Sequence, residues 1–254
     1  MNLKVCMVAS YFHPKGYGGN AVYELCRHLV KLGLEVHVIT SGIKGEARYQ
    51  SLQGIYIHRI PTYFLKLFNT EYPVSPTALG EILKVVSNND IDLVHAHFEI
   101  FPTTLASSIA KRIAGKPMVL TMHGQGLEGH SSYGTTMLDT LWLINHITFE
   151  RFVVHSADKI VALTRAVKTK ALKLGAKPNK ISVIPNGVDT ERFKSFNPSE
   201  EYYTELSIND EHKIVTFVGR LHPTHGILLL LHAIPQAIKA HPELRFILVG
   251  DGPL

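Results

Sequence analysis

The sequence predicts an α/β fold: a complete, doubly wound parallel sheet, followed by the opening strand-helix-strand of a second domain of the same type. Two observations carry this expectation. Short runs rich in Val and Ile alternate with helical apolar patterns, the habit of a parallel sheet covered on both faces. A polar, weakly periodic stretch from Asp189 to Glu211, holding Asn197-Pro198-Ser199, then interrupts the pattern before it restarts. The expected organisation is one domain over 1–188, a linker over 189–211 and an incomplete domain over 212–254.

Each element follows from its own pattern. Strands are expected at Leu3 to Ala9, Glu35 to Thr40, Ile55 to Ile60, Leu93 to His97, Met118 to Met122, Lys159 to Leu163 and Ile181 to Ile184. The first helix, Asn20 to Leu32, lines up Val22, Leu25, Leu29 and Leu32, and Gly33 stops it. Ser75 reads as an N-cap before Pro76 at the first helical position, with the helix ending near Asn88. Further helices are expected over Thr103 to Ala114, Thr136 to His155 and Arg165 to Leu174. After the linker come a strand at Lys213 to Val218, a helix at Gly226 to Lys239 and a strand at Arg245 to Val249. One such unit leaves sheet edges and an apolar face uncovered, and ~45 residues is below the size at which a domain usually stabilises itself. The remainder is expected to be missing from the chain or supplied in trans.

Composition narrows the function classes. With 45% hydrophobic and 19% charged residues the chain has the make-up of a folded protein rather than a disordered one. Cys6 and Cys26 fall in a core strand and a helix, so they read as packed thiols and not as a disulfide framework. The N-terminus runs straight into a strand without signal-peptide features, and no stretch reaches the ~18 to 20 apolar residues that span a bilayer, so a cytoplasmic protein is expected. A net charge of +5 favours anionic partners. Lys and Arg are scattered and no RNA-stacking motif is present, which argues against nucleic acid.

In an open parallel sheet ligands bind beyond the carboxyl ends of the strands, so the loops there should hold the function. The first strand is followed by Ser10 to Gly19, whose Gly16, Gly18 and Gly19 lead into a helix and would let backbone N–H groups approach an anion. The spacing lacks the third glycine of a dinucleotide fingerprint, and Thr40-Ser41-Gly42 offers no acid after the second strand, so a nicotinamide dehydrogenase is disfavoured. His95 and His97 share one face of their strand. No third and fourth ligand accompanies them at metal-site spacing, so packing and hydrogen bonding is their expected role. His123, at a strand's carboxyl end before Gly124, is placed to hydrogen-bond a sugar hydroxyl or developing charge.

Gly18-Gly19, His123-Gly124, Ile184-Pro185-Asn186-Gly187-Val188-Asp189, Gly219-Arg220-Leu221 and Gly250-Asp251-Gly252-Pro253 occur in order along the whole chain. Together they resemble the family-4 retaining glycosyltransferases of the two-Rossmann-domain, GT-B kind, a group that includes phosphatidylinositol, lipopolysaccharide and sucrose-type sugar transferases. The resemblance implies a GT-B-like fold with a Rossmann-like acceptor-side domain and an incomplete donor-binding domain. It implies transfer of a sugar from a nucleotide-diphosphate donor to a lipid or glycan acceptor with retention of configuration. It further implies that Gly18 and Gly19 face the donor phosphates and acceptor, that His123 contacts the transferred sugar as the catalytic position, and that Arg220 holds the diphosphate. A planar guanidinium suits that task, with bidentate bonds to phosphate oxygens. Gly250, Asp251 and Gly252 would sit beside base or ribose, and Asn186 and Gly187 would form a hinge or cleft wall, or simply a turn. No metal or other cofactor is implied, because fixed cations and helix termini stabilise the departing diphosphate.

Two departures make the chain alone an expected non-catalyst. His225 stands where the family carries a lysine that partners the arginine, and an ordinary histidine is mostly neutral at pH 7. The family's paired glutamates would fall beyond Leu254. Two alternatives stay open: a non-catalytic acceptor-binding subunit that pairs with a separate donor-binding chain, and a GT-B-like sugar-nucleotide epimerase. The segment Tyr63 to Phe68, with Phe98 and Phe101, reads first as loop packing and second as a surface for a lipid-linked acceptor, which would make the protein peripheral at the inner membrane surface.

Overall fold

The computed structural model describes residues 3–12, 20–67, 70–124, 148–195 and 200–254. The chain forms two compact units, Met1–Gly187 and Val188–Leu254. The first is built on β1 (Lys4–Val8), β2 (Glu35–Ser41), β3 (Tyr49–Leu52), β4 (Ile55–Ile60), β5 (Tyr63–Leu67), β6 (Thr70–Val74), β7 (Leu93–His97), β8 (Met118–Met122), β9 (Lys159–Ala162) and β10 (Ile181–Val183). Its helices are α1 (Asn20–Lys31), α2 (Ala78–Asn88), α3 (Pro102–Ala114), α4 over 148–156, and α5 (Arg165–Lys173).

Eight of these strands form one sheet in the order β10-β9-β8-β7-β1-β2-β4-β3, parallel throughout except for the β3–β4 pair. The chain runs outward from β1 in one direction through β2 and in the other through β7. The strand order therefore reverses between β1 and β7, which opens a crevice beyond their carboxyl ends.

Alternation along each strand divides the core between the two faces of the sheet. Cys6 and Val8 join Ile39, Val94, Leu120 and Ile160 under α2, α3, α4 and α5. Val5, Met7 and Ala9 face the other way with Val38 and Ile57, against Val22, Tyr23 and Cys26 of α1. Both cysteines are unbonded to each other and buried, and burial pushes the Cys6 thiol up to about 12 and that of Cys26 higher still. The start of β8 is fixed by Asp158, whose carboxylate accepts from Met118 N–H at 2.7 Å and from Lys111 Nζ at 2.6 Å.

The parallel strands stand where the sequence places them, and three local expectations need correction. First, β3 is an unanticipated antiparallel edge strand. It turns into β4 through Gln53 and Gly54, both at positive φ (51° and 80°), a two-residue hairpin whose twist suits the flanking strands. Second, α2 starts at Ala78 and not at Pro76: Ala78 N–H donates to Ser75 O at 3.2 Å, so residues 75–78 form a tight turn first. Third, Tyr63 to Leu67 is not a packed loop. It pairs antiparallel with Thr70–Val74 as a separate two-stranded hairpin. Tyr63 and Leu65 are exposed, whereas Phe98 and Phe101 are buried among aromatic neighbours and offer no surface to a lipid. Of the helix expected from Thr136 to His155, the part up to residue 147 lies outside the described residues; 148–156 is helical.

The second unit contains a short helix, α6 (Glu200–Glu205), inside the stretch read as linker, then β11 (Lys213–Val218), α7 (Ile227–Ala240) and β12 (Leu244–Val249). β11 and β12 pair in parallel. Among the described apolar residues of this unit only Ile208 and Ile227 are buried, while Val218, Leu229 and Val249 face solvent.

Candidate functional site

Beyond the carboxyl ends of β1, β7 and β8 the chain assembles a compact polar and aromatic cluster. β1 leads into Ser10, whose Oγ lies 2.6 Å from Thr103 Oγ1 in the first turn of α3. β7 leads into Phe98, which holds φ +63°, a conformation rare for a bulky side chain. The turn is pinned from three sides: Phe98 N–H donates to Thr121 O at 3.1 Å, and Thr104 Oγ1 donates to His97 O at 3.1 Å and to Phe98 O at 2.7 Å. Pro102 at the first position of α3 suits the helix start, where no N–H partner is needed. This backbone turn lays the Phe98 ring flat on His123, with centroids 3.9 Å apart and planes 15° apart. Phe101 extends the aromatic wall to Tyr11 and Tyr72, and the Tyr72 hydroxyl donates to Ile100 O, tying the β5–β6 hairpin to the same loop.

Strand register brings three histidines together. His97 pairs with Thr121 across the β7–β8 ladder, so His123 emerges two residues further on, on the same face. His95 and His97 stack at 4.4 Å, His95 Nε2 lies 2.8 Å from Thr121 Oγ1, and His97 Nδ1 lies 3.1 Å from His123 Nε2. Burial disfavours the charged imidazolium in each. It lowers His95 and His123 to about 4, with the neighbouring His123 adding to the effect on His95, and holds His97 well below its ordinary value. All three are neutral at pH 7 and act as hydrogen-bonding groups there. Among the described residues no group of three ligand-type side chains is arranged to hold a metal ion.

Sequence reasoning missed a charged group beside this cluster. Glu99, two residues past β7, and Glu150 of α4 are both buried, and Lys170 of α5 bonds Glu99 Oε1 at 2.9 Å and Glu150 Oε1 at 3.0 Å. Burial raises the Glu99 pKa against the opposing pull of Lys170. Burial would lower that of Lys170, but the two carboxylates outweigh it and raise it. Breaking such a group by removing Lys170 would strand buried charge. An acid just past a strand's carboxyl end was the one available signal.

The second unit gathers its own set. Arg220 is exposed in the loop after β11, and His225 ends the 3-10 turn Pro223–His225 that precedes α7. The loops after β11 and β12 continue side by side: Gly219 N–H donates to Val249 O and Leu221 N–H to Asp251 O, each at 2.9 Å. A Cβ on Gly250 would lie 1.8 Å from Gly219 O, and one on Gly252 would lie 2.1 Å from Leu221 O. Close backbone approach alone therefore requires glycine at both positions. Asn186 and Gly187 are exposed at the end of the first unit. Gly18 and Gly19 lie outside the described residues. The structure thus joins His123 to His97 and Phe98, and joins Arg220, His225 and Gly250 to Gly252 within the second unit.

Comparison with known proteins agrees with this architecture. Residues 18–192 match the model of Glycosyltransferase Family 4. The GPI3 subunit of phosphatidylinositol N-acetylglucosaminyltransferase from Saccharomyces cerevisiae (strain YJM789) is 26% identical over 256 residues, covering 100% of this chain and 54% of the relative. The chain therefore spans about half the length of the curated relatives it matches. Among solved structures, Anabaena Alr3699/HepE in complex with UDP and glucose superposes with a TM-score of 0.68 at 18% identity, over 99% of this chain and 62% of that one. Sucrose-phosphate synthase from Thermosynechococcus elongatus gives a TM-score of 0.71 at 16% identity, over 98% and 62%. These likenesses fix the fold as the GT-B type, and with the family match over most of its length the chain belongs to glycosyltransferase family 4.

Proposed function

We propose that this chain is the acceptor-side part of an enzyme that transfers a sugar from a nucleoside-diphosphate donor to a lipid or glycan acceptor, with retention of anomeric configuration. The observation that carries the reading is His123, set at the carboxyl end of β8 beside the strand-order reversal and stacked on Phe98. Family membership, a relative named for N-acetylglucosamine transfer to phosphatidylinositol and a fold neighbour holding UDP and glucose support the donor and acceptor classes. In this reading His123 hydrogen-bonds the transferred sugar as a neutral imidazole. Arg220 makes paired, charge-assisted bonds to the diphosphate, aided by His225 and the amino end of α7. Gly18 and Gly19 approach the phosphates through backbone N–H groups, Asp251 and its flanking glycines lie beside base or ribose, and Asn186-Gly187 serves as cleft wall. No metal takes part.

Exposed apolar residues on β11, α7 and β12 favour a requirement for further structure, supplied as a donor-side domain or chain. The 254-residue chain is then inactive alone. No helix among the described residues is long and apolar enough to cross a membrane, and the exposed Tyr63 and Leu65 of the β5–β6 hairpin support peripheral contact with a lipid surface carrying the acceptor.

The test is a transfer assay with UDP-glucose and UDP-N-acetylglucosamine, with phosphatidylinositol vesicles or a glycan acceptor, run on the chain alone and fused to the donor-side domain of a family relative. Transfer by the fusion only, to a product of unchanged anomeric configuration, is expected. Robust turnover by the chain alone contradicts the inactivity; an inverted product contradicts retention; sugar isomerisation without acceptor would favour an epimerase.

A further inference from the structure

His97 and His123 meet beyond the carboxyl ends of β7 and β8. Two neutral imidazoles 3.1 Å apart share one hydrogen bond, and either ring can be its donor. The far nitrogen of His97, Nε2, is enclosed and has no partner among the described residues. By contrast, His123 is only partly buried, no described residue bonds its Nδ1, and that atom is not among the enclosed, unpartnered ones.

The enclosed nitrogen decides between the two arrangements. If His123 Nε2–H were the donor, the proton of His97 would be forced onto Nε2, leaving a buried N–H with nothing to accept it. If His97 Nδ1–H is the donor, the enclosed atom carries only a lone pair, and orphaned N–H groups are the rarer, less tolerated kind. The contact with His123 selects the ring orientation: a flip of the His97 ring would set Cδ2 in place of Nδ1 and lose the 3.1 Å bond.

We propose that His97 is a positioning residue that sets the tautomer of His123, donating Nδ1–H to His123 Nε2 so that His123 presents an Nδ1–H donor at its open side. The inference rests on the sugar-transfer reading only for the name of what that donor meets. A donor at Nδ1 selects a ligand oxygen that accepts, such as a sugar hydroxyl oxygen, and disfavours an N–H or other donor at that spot.

The tautomer can be read directly in the unliganded chain, by nitrogen-15 NMR of ring-labelled histidines with long-range proton–nitrogen correlation. In the unsubstituted protein His123 should show a protonated Nδ1 and a bare Nε2, and His97 a protonated Nδ1. His97→Asn retains an N–H near the Nδ1 position and should keep the His123 pattern. His97→Leu removes the donor at similar bulk, and His123 should shift toward the Nε2–H form that free histidine favours. A protonated Nε2 on His123 in the unsubstituted protein, or an unchanged His123 pattern in folded His97→Leu, would overturn the proposal. Should the Leu variant not fold, the unsubstituted spectrum still decides. No donor sugar enters this experiment, so its failure is distinct from a failure of the transfer assay.

Discussion

The two units use the same strand-helix-strand grammar and reach opposite outcomes. In the first, Met7 of β1 is fully buried and helices cover both faces of an eight-stranded sheet. In the second, β11 and β12 pair correctly, yet Val218 is 74% and Leu229 78% exposed. The contrast teaches that a βαβ unit specifies its own ladder, whereas burial comes only from neighbouring strands and helices at both edges. The first unit therefore buries its apolar residues within itself, whereas the described apolar residues of the second are mostly exposed.

The largest effect that could break this comparison is in the cores. Met7→Ala should destabilise the first unit by about 2–5 kcal/mol, while Leu229→Ala, at an exposed position, should stay within about 0.5 kcal/mol. Urea unfolding of both variants measures the difference, and equal losses would mean that the second unit is buried in solution. Next in size is function without stability. Arg220→Ala should weaken binding of a nucleoside diphosphate to the fusion enzyme by about 1.5–3 kcal/mol, the worth of a charged hydrogen bond, and leave the melting temperature unchanged. Isothermal titration with UDP reads the first and thermal unfolding the second.

Acid should act on the first unit. Its His95 and His123 titrate near 4 in the folded state because burial disfavours their charge, against an ordinary 6.5. Between those values the unfolded chain binds more protons than the folded one. Stability therefore falls as pH drops from about 6.5 to about 4, by roughly 3 kcal/mol for each of these two histidines. Urea midpoints across that range check the slope, and His95→Gln should flatten it. The most local effect is that of Gly250→Ala, which sets a Cβ 1.8 Å from Gly219 O and so must move the backbone: it should cost about 3 kcal/mol or more and speed hydrogen exchange at the Gly219 and Leu221 amides, with exchange in β7 and β8 unaltered.

Legibility followed the same division between local and long-range physics. The inner strands were readable because Val36, Val38 and Ile39, and Ile55, Ile57 and Ile60, set buried β-branched residues in short runs. β3, with the sequence Tyr-Gln-Ser-Leu, lacks that signature: it is an edge strand that owes its existence to the Gln53-Gly54 turn and to pairing with β4. The place of His123 at the end of β8, before a glycine, was readable from the sequence. Its hydrogen bond with His97 was not, because it depends on how β7 registers on β8. Glu99 and Lys170 meet across 71 residues, a closure that no local pattern announces. Exposure of Tyr63 and Leu65 and burial of Phe98 and Phe101 likewise came from packing, since all four read alike as apolar residues.

In the proposed function His123 acts on the sugar within an enzyme completed by a donor-side domain. The most direct measurement is kcat for sugar transfer by the fusion enzyme and by its His123→Ala variant, each confirmed as folded. A fall of about 100-fold or more, the loss typical of a hydrogen-bond donor to the reacting centre, is the predicted result. Transfer at the unsubstituted rate by the variant would contradict it.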